Sequence, residues 1–149
     1  MRHFAELLIT SGVVLSDDVK WVTFHSGYDF GYLLKVLTAA PLPATEAGFF
    51  ELMEAYFPNI FDVKYLMKFT QDLYGGLNRL AETLEVDRIG PKHQAGSDSL
   101  VTLAVFLKLR ESHFKSDDDA KFNKRFRGIL YGLGRDGEGN NSIDNSHKK

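Results

Sequence analysis

A chain of 149 residues, 44% hydrophobic and 26% charged, has enough length for one soluble globular domain burying about two thirds of its unfolded surface. The 18 basic and 20 acidic side chains leave a formal charge of −2, which excludes a protein that holds nucleic acid by bulk positive charge. The absence of cysteine excludes disulfides, thiolate metal sites and a cysteine nucleophile.

No apolar run reaches the roughly 18 residues of a membrane span. The opening Met1-Arg2-His3-Phe4-Ala5-Glu6 lacks the layout of a signal peptide, so a soluble intracellular protein is expected. Charge is uneven: residues 1–100 carry a balance of −5 and residues 101–149 one of +3. Much of the basic excess lies in Lys121, Lys124, Arg125 and Arg127. That cluster is either a solvated helix face balancing Asp117-Asp118-Asp119, or a rim that draws a polyanion toward an acidic site.

In chain order, Phe4, Leu7, Leu8 and Ser11 fall at helical spacing, with Gly12 as the stop. Residues 19–24, with Trp21, Val22 and Thr23, suit a strand. A tight turn at His25-Ser26-Gly27 leads into a helix through Tyr32, Leu33, Val36 and Leu37, and Pro41-Leu42-Pro43 breaks the chain. Thr45 N-caps a helix with Phe49, Leu52, Met53 and Tyr56 on its apolar side, and Pro58 ends it. Phe61-Asp62 opens a second extended piece, with Asp62 as N-cap of a helix over residues 63–69.

Gly75-Gly76 hinges into a helix striped with Leu77, Leu80, Ala81 and Leu84, and residues 88–96 form a loop. The longest helix, residues 98–114, takes Leu100, Leu103, Ala104 and Leu107 as its core side, with Phe106 a further candidate. A last helix covers residues 119–130. Residues 132–149, rich in Gly and Asn, offer too little apolar surface to offset ordering and are expected to be disordered. A sheet of one or two strands is a poor core, which points to strands outside this chain.

Two constellations could carry chemistry. In Phe24-His25-Ser26-Gly27-Tyr28-Asp29 a strand turns into a helix. Ser26 and Asp29 either form a capping box, or Asp29 is a hard oxygen ligand at a strand-to-helix corner. In His93-Gln94-Ala95-Gly96-Ser97-Asp98-Ser99, Ser97 or Asp98 either caps the longest helix, or Asp98 binds a cation while His93 takes a proton from water. Two carboxylates fall short of the three or four that a two-metal phosphodiesterase site uses. Gly132-Leu133-Gly134-Arg135-Asp136-Gly137 fits G-x-G-x-x-G but has no βαβ context. It is set aside.

The first of these segments, extended through Trp21-Val22-Thr23 and Phe30-Gly31-Tyr32-Leu33-Leu34-Lys35, together with His93-Gln94-Ala95-Gly96-Ser97-Asp98-Ser99-Leu100, resembles the CAF/Pop-type deadenylase subunit of the Ccr–Not complex. Phe4-Ala5-Glu6-Leu7-Leu8, Phe61-Asp62-Val63-Lys64-Tyr65-Leu66-Met67-Lys68 and Leu130-Tyr131-Gly132-Leu133-Gly134 extend the likeness from Phe4 to Gly134, with a plant-like flavour in Ala47-Gly48-Phe49-Phe50. The family is one of DEDD-class 3′→5′ exoribonucleases. The resemblance implies an α/β, RNase H-like exonuclease fold and a poly(A)-specific ribonuclease that releases 5′-AMP with two divalent ions, Mg²⁺ or Mn²⁺. It implies that Asp29 and Asp98 are the acids of the second and third exonuclease motifs and that His93 is the general base.

The implied partners are poly(A) RNA, the Ccr–Not scaffold subunit and the companion deadenylase, without membrane or DNA, in cytoplasm and nucleus. The family's first motif, Asp-x-Glu on the first strand, has no counterpart in this sequence. The chain therefore reads as the C-terminal portion of a family member, a truncated, helix-rich domain over residues 1–131. A catalytically inactive chain that binds the scaffold subunit is the alternative.

Overall fold

The structure, a computed structural model, describes residues 2–134 and residue 136. Its elements run α1 (Arg2–Thr10), β1 (Trp21–Thr23), α2 (Gly27–Thr38), α3 (Glu46–Tyr56), β2 (Ile60–Asp62), α4 (Val63–Leu66), α5 (Leu77–Thr83), α6 (Ala95–His113) and α7 (Asp119–Phe126). A single 3-10 turn, Met67–Phe69, follows α4. The strands pair as a two-stranded sheet in the order β1-β2. Helices and strands thus fall where spacing and β-branched runs put them, with the ends shifted by a few residues.

The chain divides into two compact units. The first comprises residues up to Trp21, Ser26–Phe61 and the described residues from Gly128 on. Its core is Ala5, Val14, Phe30, Leu34, Leu37, Met53, Phe57, Ile60 and Leu130. Phe57 is the hub: its ring meets Trp21 edge-on at 5.0 Å and Phe30 at 4.9 Å. The Trp21 indole N–H donates to the Val13 carbonyl at 3.0 Å, so the one tryptophan is both packed and satisfied.

Thr45 caps α3 as its sequence predicts, its hydroxyl accepting from the Gly48 N–H at 3.1 Å. The apolar face of α1 differs from the expected one. Ala5 is buried and Leu8 partly so, whereas Phe4 and Leu7 are about half exposed. The small alanine is the side that approaches the core, and periodicity weighted toward large residues misses it.

The second unit comprises Val22–His25 and Asp62–Arg127. One part of its core joins α5 to α6 through Leu80, Ala81, Leu84, Val101 and Val105. Another is an aromatic cluster: Phe126 lies 5.1 Å from Phe114, 4.9 Å from Phe122 and 5.2 Å from Phe69, ring centre to ring centre. Asp62 caps α4 as expected, accepting from the Lys64 N–H at 3.0 Å, and the same oxygen accepts from the His25 N–H at 2.8 Å. One buried carboxylate thereby fixes both a helix start and the backbone at His25, which sits at φ 56°.

α7 stops at Phe126 rather than at residue 130. Gly128 takes φ +75°, the left-handed geometry of a helix terminus, and gives its N–H to the Ile60 carbonyl at 2.9 Å. Asp117, 4% exposed, accepts from Arg125 and pairs with Lys121 at 2.6 Å. Asp118 caps α7 through the Lys121 N–H, and Arg110 reaches Asp119 at 3.3 Å. Lys121 and Arg125 thus balance the acidic run before them, as one reading of the cluster expects, but they do so at a buried Asp117 rather than on a solvated face.

Of the 132–149 segment, residues 132–134 and 136 are described. They are not open tail: the Gly132 N–H donates to the Asp136 carboxylate at 2.6 Å, and the Leu133 N–H to the Leu130 carbonyl at 3.3 Å. Gly134, at φ +57°, lies so close to the Phe50 ring that a Cβ there would sit 2.6 Å from it. Only glycine fits. A side-chain carboxylate satisfying backbone and the close packing of Gly134 on Phe50 together hold this turn. The rest of the segment lies outside the described residues.

Candidate active site

Asp29 occupies the first turn of α2, on the exposed side, and belongs to the first unit. Its neighbours Tyr28 and Tyr32 are 85% and 72% exposed. Ser26 stands at the N-cap and is buried, but its side chain makes no cap hydrogen bond. The capping box is therefore not formed, because Ser26 has φ −109° and ψ 18°, away from the extended backbone of a capping serine. Asp29 keeps the favourable position of an acid at the positive end of a helix without a capping task.

His93 and Asp98 belong to the second unit. His93 is exposed in the loop before α6 and adopts φ 62°. Left-handed backbone on a non-glycine residue costs on the order of 1 kcal/mol or more and is concentrated at functional loops. Asp98 is the fourth residue of α6, which begins at Ala95 with Gln94 at the N-cap. Because the helix starts three residues earlier than its sequence suggests, neither Ser97 nor Asp98 is a cap.

Arg88 explains what these two residues do instead. One guanidinium nitrogen donates to Asp98 at 2.7 Å and to Ser97 Oγ at 2.9 Å, and the other donates to Asn78 Oδ1 at 2.6 Å. The Arg88 side chain is 14% exposed and that of Asp98 37%. This fork ties α5 to the start of α6 and holds Asp98 in one orientation. Gly90, at φ +88°, lets the same loop pass close to Ser97, where a Cβ would stand 3.3 Å from the serine's own. The sequence offers no periodic or motif signal for Arg88, since it is a lone arginine ten residues before its partner.

The structure thus puts His93 and Asp98 on one loop-to-helix junction and Asp29 on another helix start in the other unit. Among the described residues no group of three or more His, Asp or Glu side chains could hold a metal ion. Two hard divalent ions need more carboxylate oxygens than Asp29 and Asp98 provide. The residues present do not by themselves make a two-ion centre. Among the described residues, no helix is long and apolar enough to cross a membrane.

Comparison with known proteins agrees with the motifs. Residues 1–106 match the CAF1 family ribonuclease model. The chain is 56% identical over 133 residues to Probable CCR4-associated factor 1 homolog 7 of Arabidopsis thaliana, covering 89% of this chain and 46% of that protein. It is 48% identical over 134 residues to the poly(A) ribonuclease pop2 of Schizosaccharomyces pombe, covering 90% of this chain and 39% of that protein. The structure of that Pop2p with Mg²⁺ and Mn²⁺ bound superposes with a TM-score of 0.80, over 89% of this chain and 51% of that one.

CAF1 co-crystallised with the yeast NOT1 MIF4G domain superposes with a TM-score of 0.73 at 28% identity, over 87% of this chain and 52% of that one. The chain spans about half the length of the relatives it matches, and its fold is the helix-rich part of the RNase H-like fold expected from its sequence. Strand-to-helix corner, HQAGSDS junction and superposition agree, and the chain belongs to the CAF1 family of ribonucleases.

Proposed function

We propose that this chain supplies part of the active site of a poly(A)-specific 3′→5′ exoribonuclease of the Ccr–Not complex. The observation that carries the reading is its 48% identity to the poly(A) ribonuclease pop2 across the stretch that holds Asp29, His93 and Asp98. In this reading Asp29 and Asp98 are two of the site's acids, further carboxylates come from the rest of the domain, and the completed site takes Mg²⁺ or Mn²⁺. His93 accepts the proton of the attacking water, a task that suits an imidazole near neutral pH. Arg88 keeps Asp98 aimed and is a positioning residue.

The test joins this segment to the rest of a CAF1 domain and follows a 5′-labelled oligo(A). Shortening that disappears in Asp29→Ala and Asp98→Ala, and drops severely in His93→Ala, supports the assignment. An undiminished rate in His93→Ala removes the general base.

A second reading follows from the missing carboxylates. Alone, the 149-residue chain is catalytically silent and acts as an interaction module on the scaffold subunit, in cytoplasm and nucleus. Its support is the superposition on CAF1 from the co-crystal with the NOT1 MIF4G domain. Retention of the isolated chain on an immobilised NOT1 MIF4G domain is the expected result, and its absence would remove this reading.

A further inference from the structure

α2 buries Phe30, Leu34 and Leu37 in the core of the first unit. Its opposite side carries Tyr28, Asp29, Tyr32 and Lys35, all exposed. Tyr28 and Tyr32 are four residues apart, so their rings rise from one face with Cβ atoms about 6 Å from each other, and Asp29 lies beside them. Charged and polar side chains ordinarily cover such a face. Other tyrosines of the chain are engaged: Tyr56 and Tyr65 lie against Phe57 and Phe69, 6.5 Å and 5.2 Å between ring centres, and the Arg79 guanidinium stands 4.0 Å over the Tyr74 ring. Among the described residues, no hydrogen bond or ring contact engages Tyr28 or Tyr32.

We propose that Tyr28 and Tyr32 are a stacking platform for adenine bases beside the cleavage site, each ring taking one base of the oligo(A) strand. Place is the first support. Asp29 follows Tyr28 directly and shares its stripe, so a strand that reaches the Asp29 carboxylate passes the two rings. The second is chemistry: single strands are held by bases stacked on aromatic faces with cations near the backbone. Lys35, three residues beyond Tyr32 and the one basic side chain of α2, supplies such a cation. The third is charge, since stacking lets a chain of formal charge −2 hold RNA without bulk positive charge. The identity of the bases rests on the ribonuclease reading above.

A protein partner is a weaker occupant. Two rings offer only a small part of the about 800 Å² that each partner buries in a stable interface, and the charges of Asp29 and Lys35 flank them. A base needs a single ring. Tyrosine also suits a face that is wet when no strand is bound, because its hydroxyl stays hydrated while the ring keeps a flat apolar side.

Fluorescence anisotropy of dye-labelled oligo(A) on the 149-residue chain tests the platform, since the chain alone is expected to leave the strand intact. An abasic oligomer of the same length is the reference. Oligo(A) should bind at least tenfold more tightly than the abasic strand. Tyr28→Ala and Tyr32→Ala should each weaken oligo(A) binding about tenfold, within the range for one base on one aromatic ring, and leave abasic binding within twofold. Tyr28→Phe and Tyr32→Phe should keep oligo(A) binding within twofold, because stacking uses the ring and not the hydroxyl. Circular dichroism should be unchanged in all four variants, both side chains being exposed. No binding of oligo(A), equal affinity for the two strands, alanine variants that bind like the parent, or phenylalanine variants as weak as the alanine ones would overturn the proposal. So would protection of both tyrosines from nitration in a completed CAF1 domain, or alanine variants that lose only retention on the NOT1 MIF4G domain, which would give the face to a protein. A completed domain that binds oligo(A) through the rings but leaves it intact would sink the catalytic reading and leave the platform standing. One that shortens oligo(A) with unchanged KM in both alanine variants would do the reverse.

Discussion

Five helix starts of the described chain fall into two kinds by what their polar side chains do. At α3, α4 and α7, the side chains of Thr45, Asp62 and Asp118 accept backbone N–H groups of the first turn. At α2 and α6, which carry Asp29 and Asp98, the N-cap residues Ser26 and Gln94 make no such bond. The two candidate acids are therefore not occupied with closing their own helices. Asp98 is held from the side by Arg88, and Asp29 stands exposed between two exposed tyrosines. S-x-x-D spacing is the same local signal in a structural cap and in a site, and only the backbone geometry separates them.

The largest effect expected from this contrast is chemical. In a complete domain, Asp98→Ala should lower oligo(A) shortening by more than a thousandfold, the scale on which losing an essential group acts. Asp118→Ala, at a capping start, should leave that rate within a factor of two. Equal losses from the two would erase the distinction. Next, Arg88→Ala removes the fork that joins Asn78, Ser97 and Asp98. It should cost about 1.5–3 kcal/mol in urea unfolding, the range for hydrogen bonds to charged groups, and lower the turnover of a complete domain without changing its KM. Unchanged turnover would make Arg88 structural only.

What was legible in the sequence follows from these local rules. Thr45 and Asp62 were readable as caps because each stands where a break or an extended piece gives way to a helical stretch, Thr45 after Pro41-Leu42-Pro43 and Asp62 after Phe61. Residue types and order of elements were readable too, from β-branched runs and glycine stops. The buried face of α6 was not: with leucines at 100, 103 and 107 and Val101, Val105 and Leu109 on the other side, periodicity has two answers. Spacing points to Leu100, Leu103, Ala104 and Leu107, with Phe106 a further candidate; the described structure buries Phe106 with Val101, Val105 and Leu109 and leaves the three leucines about half exposed. The Arg88 fork was equally hidden, because ten residues of loop carry no spacing rule. Asp29 and Asp98 stand out as candidate ligands by their place at helix starts, beside equally local capping readings, and the resemblance supplies the roles it implies for them.

Smaller effects sharpen the same contrast. The ammonium of Lys121, bonded to Asp117, and then the Arg125 guanidinium hold the Asp117 carboxyl below its usual value against the opposing pull of its burial. A depressed carboxyl stabilises the folded chain above its unfolded value, and that contribution is lost as pH falls through the folded one. Urea midpoints should thus fall from pH 6 toward pH 2.5, with a shallower fall in Asp117→Asn. A variant with an unaltered slope would remove Asp117 from the acid response. Last, Thr45→Ala should cost about 1 kcal/mol and Gln94→Ala no more than about 0.5 kcal/mol, measured by urea unfolding. A reversed order would contradict the division between capped and uncapped starts.

The central claim is that this chain carries only part of a CAF1-family active site. The most direct test incubates the purified 149-residue chain alone with 5′-labelled oligo(A) and Mg²⁺ or Mn²⁺. The oligonucleotide should remain at full length. Metal-dependent shortening by the chain alone that disappears in Asp98→Ala would contradict the claim.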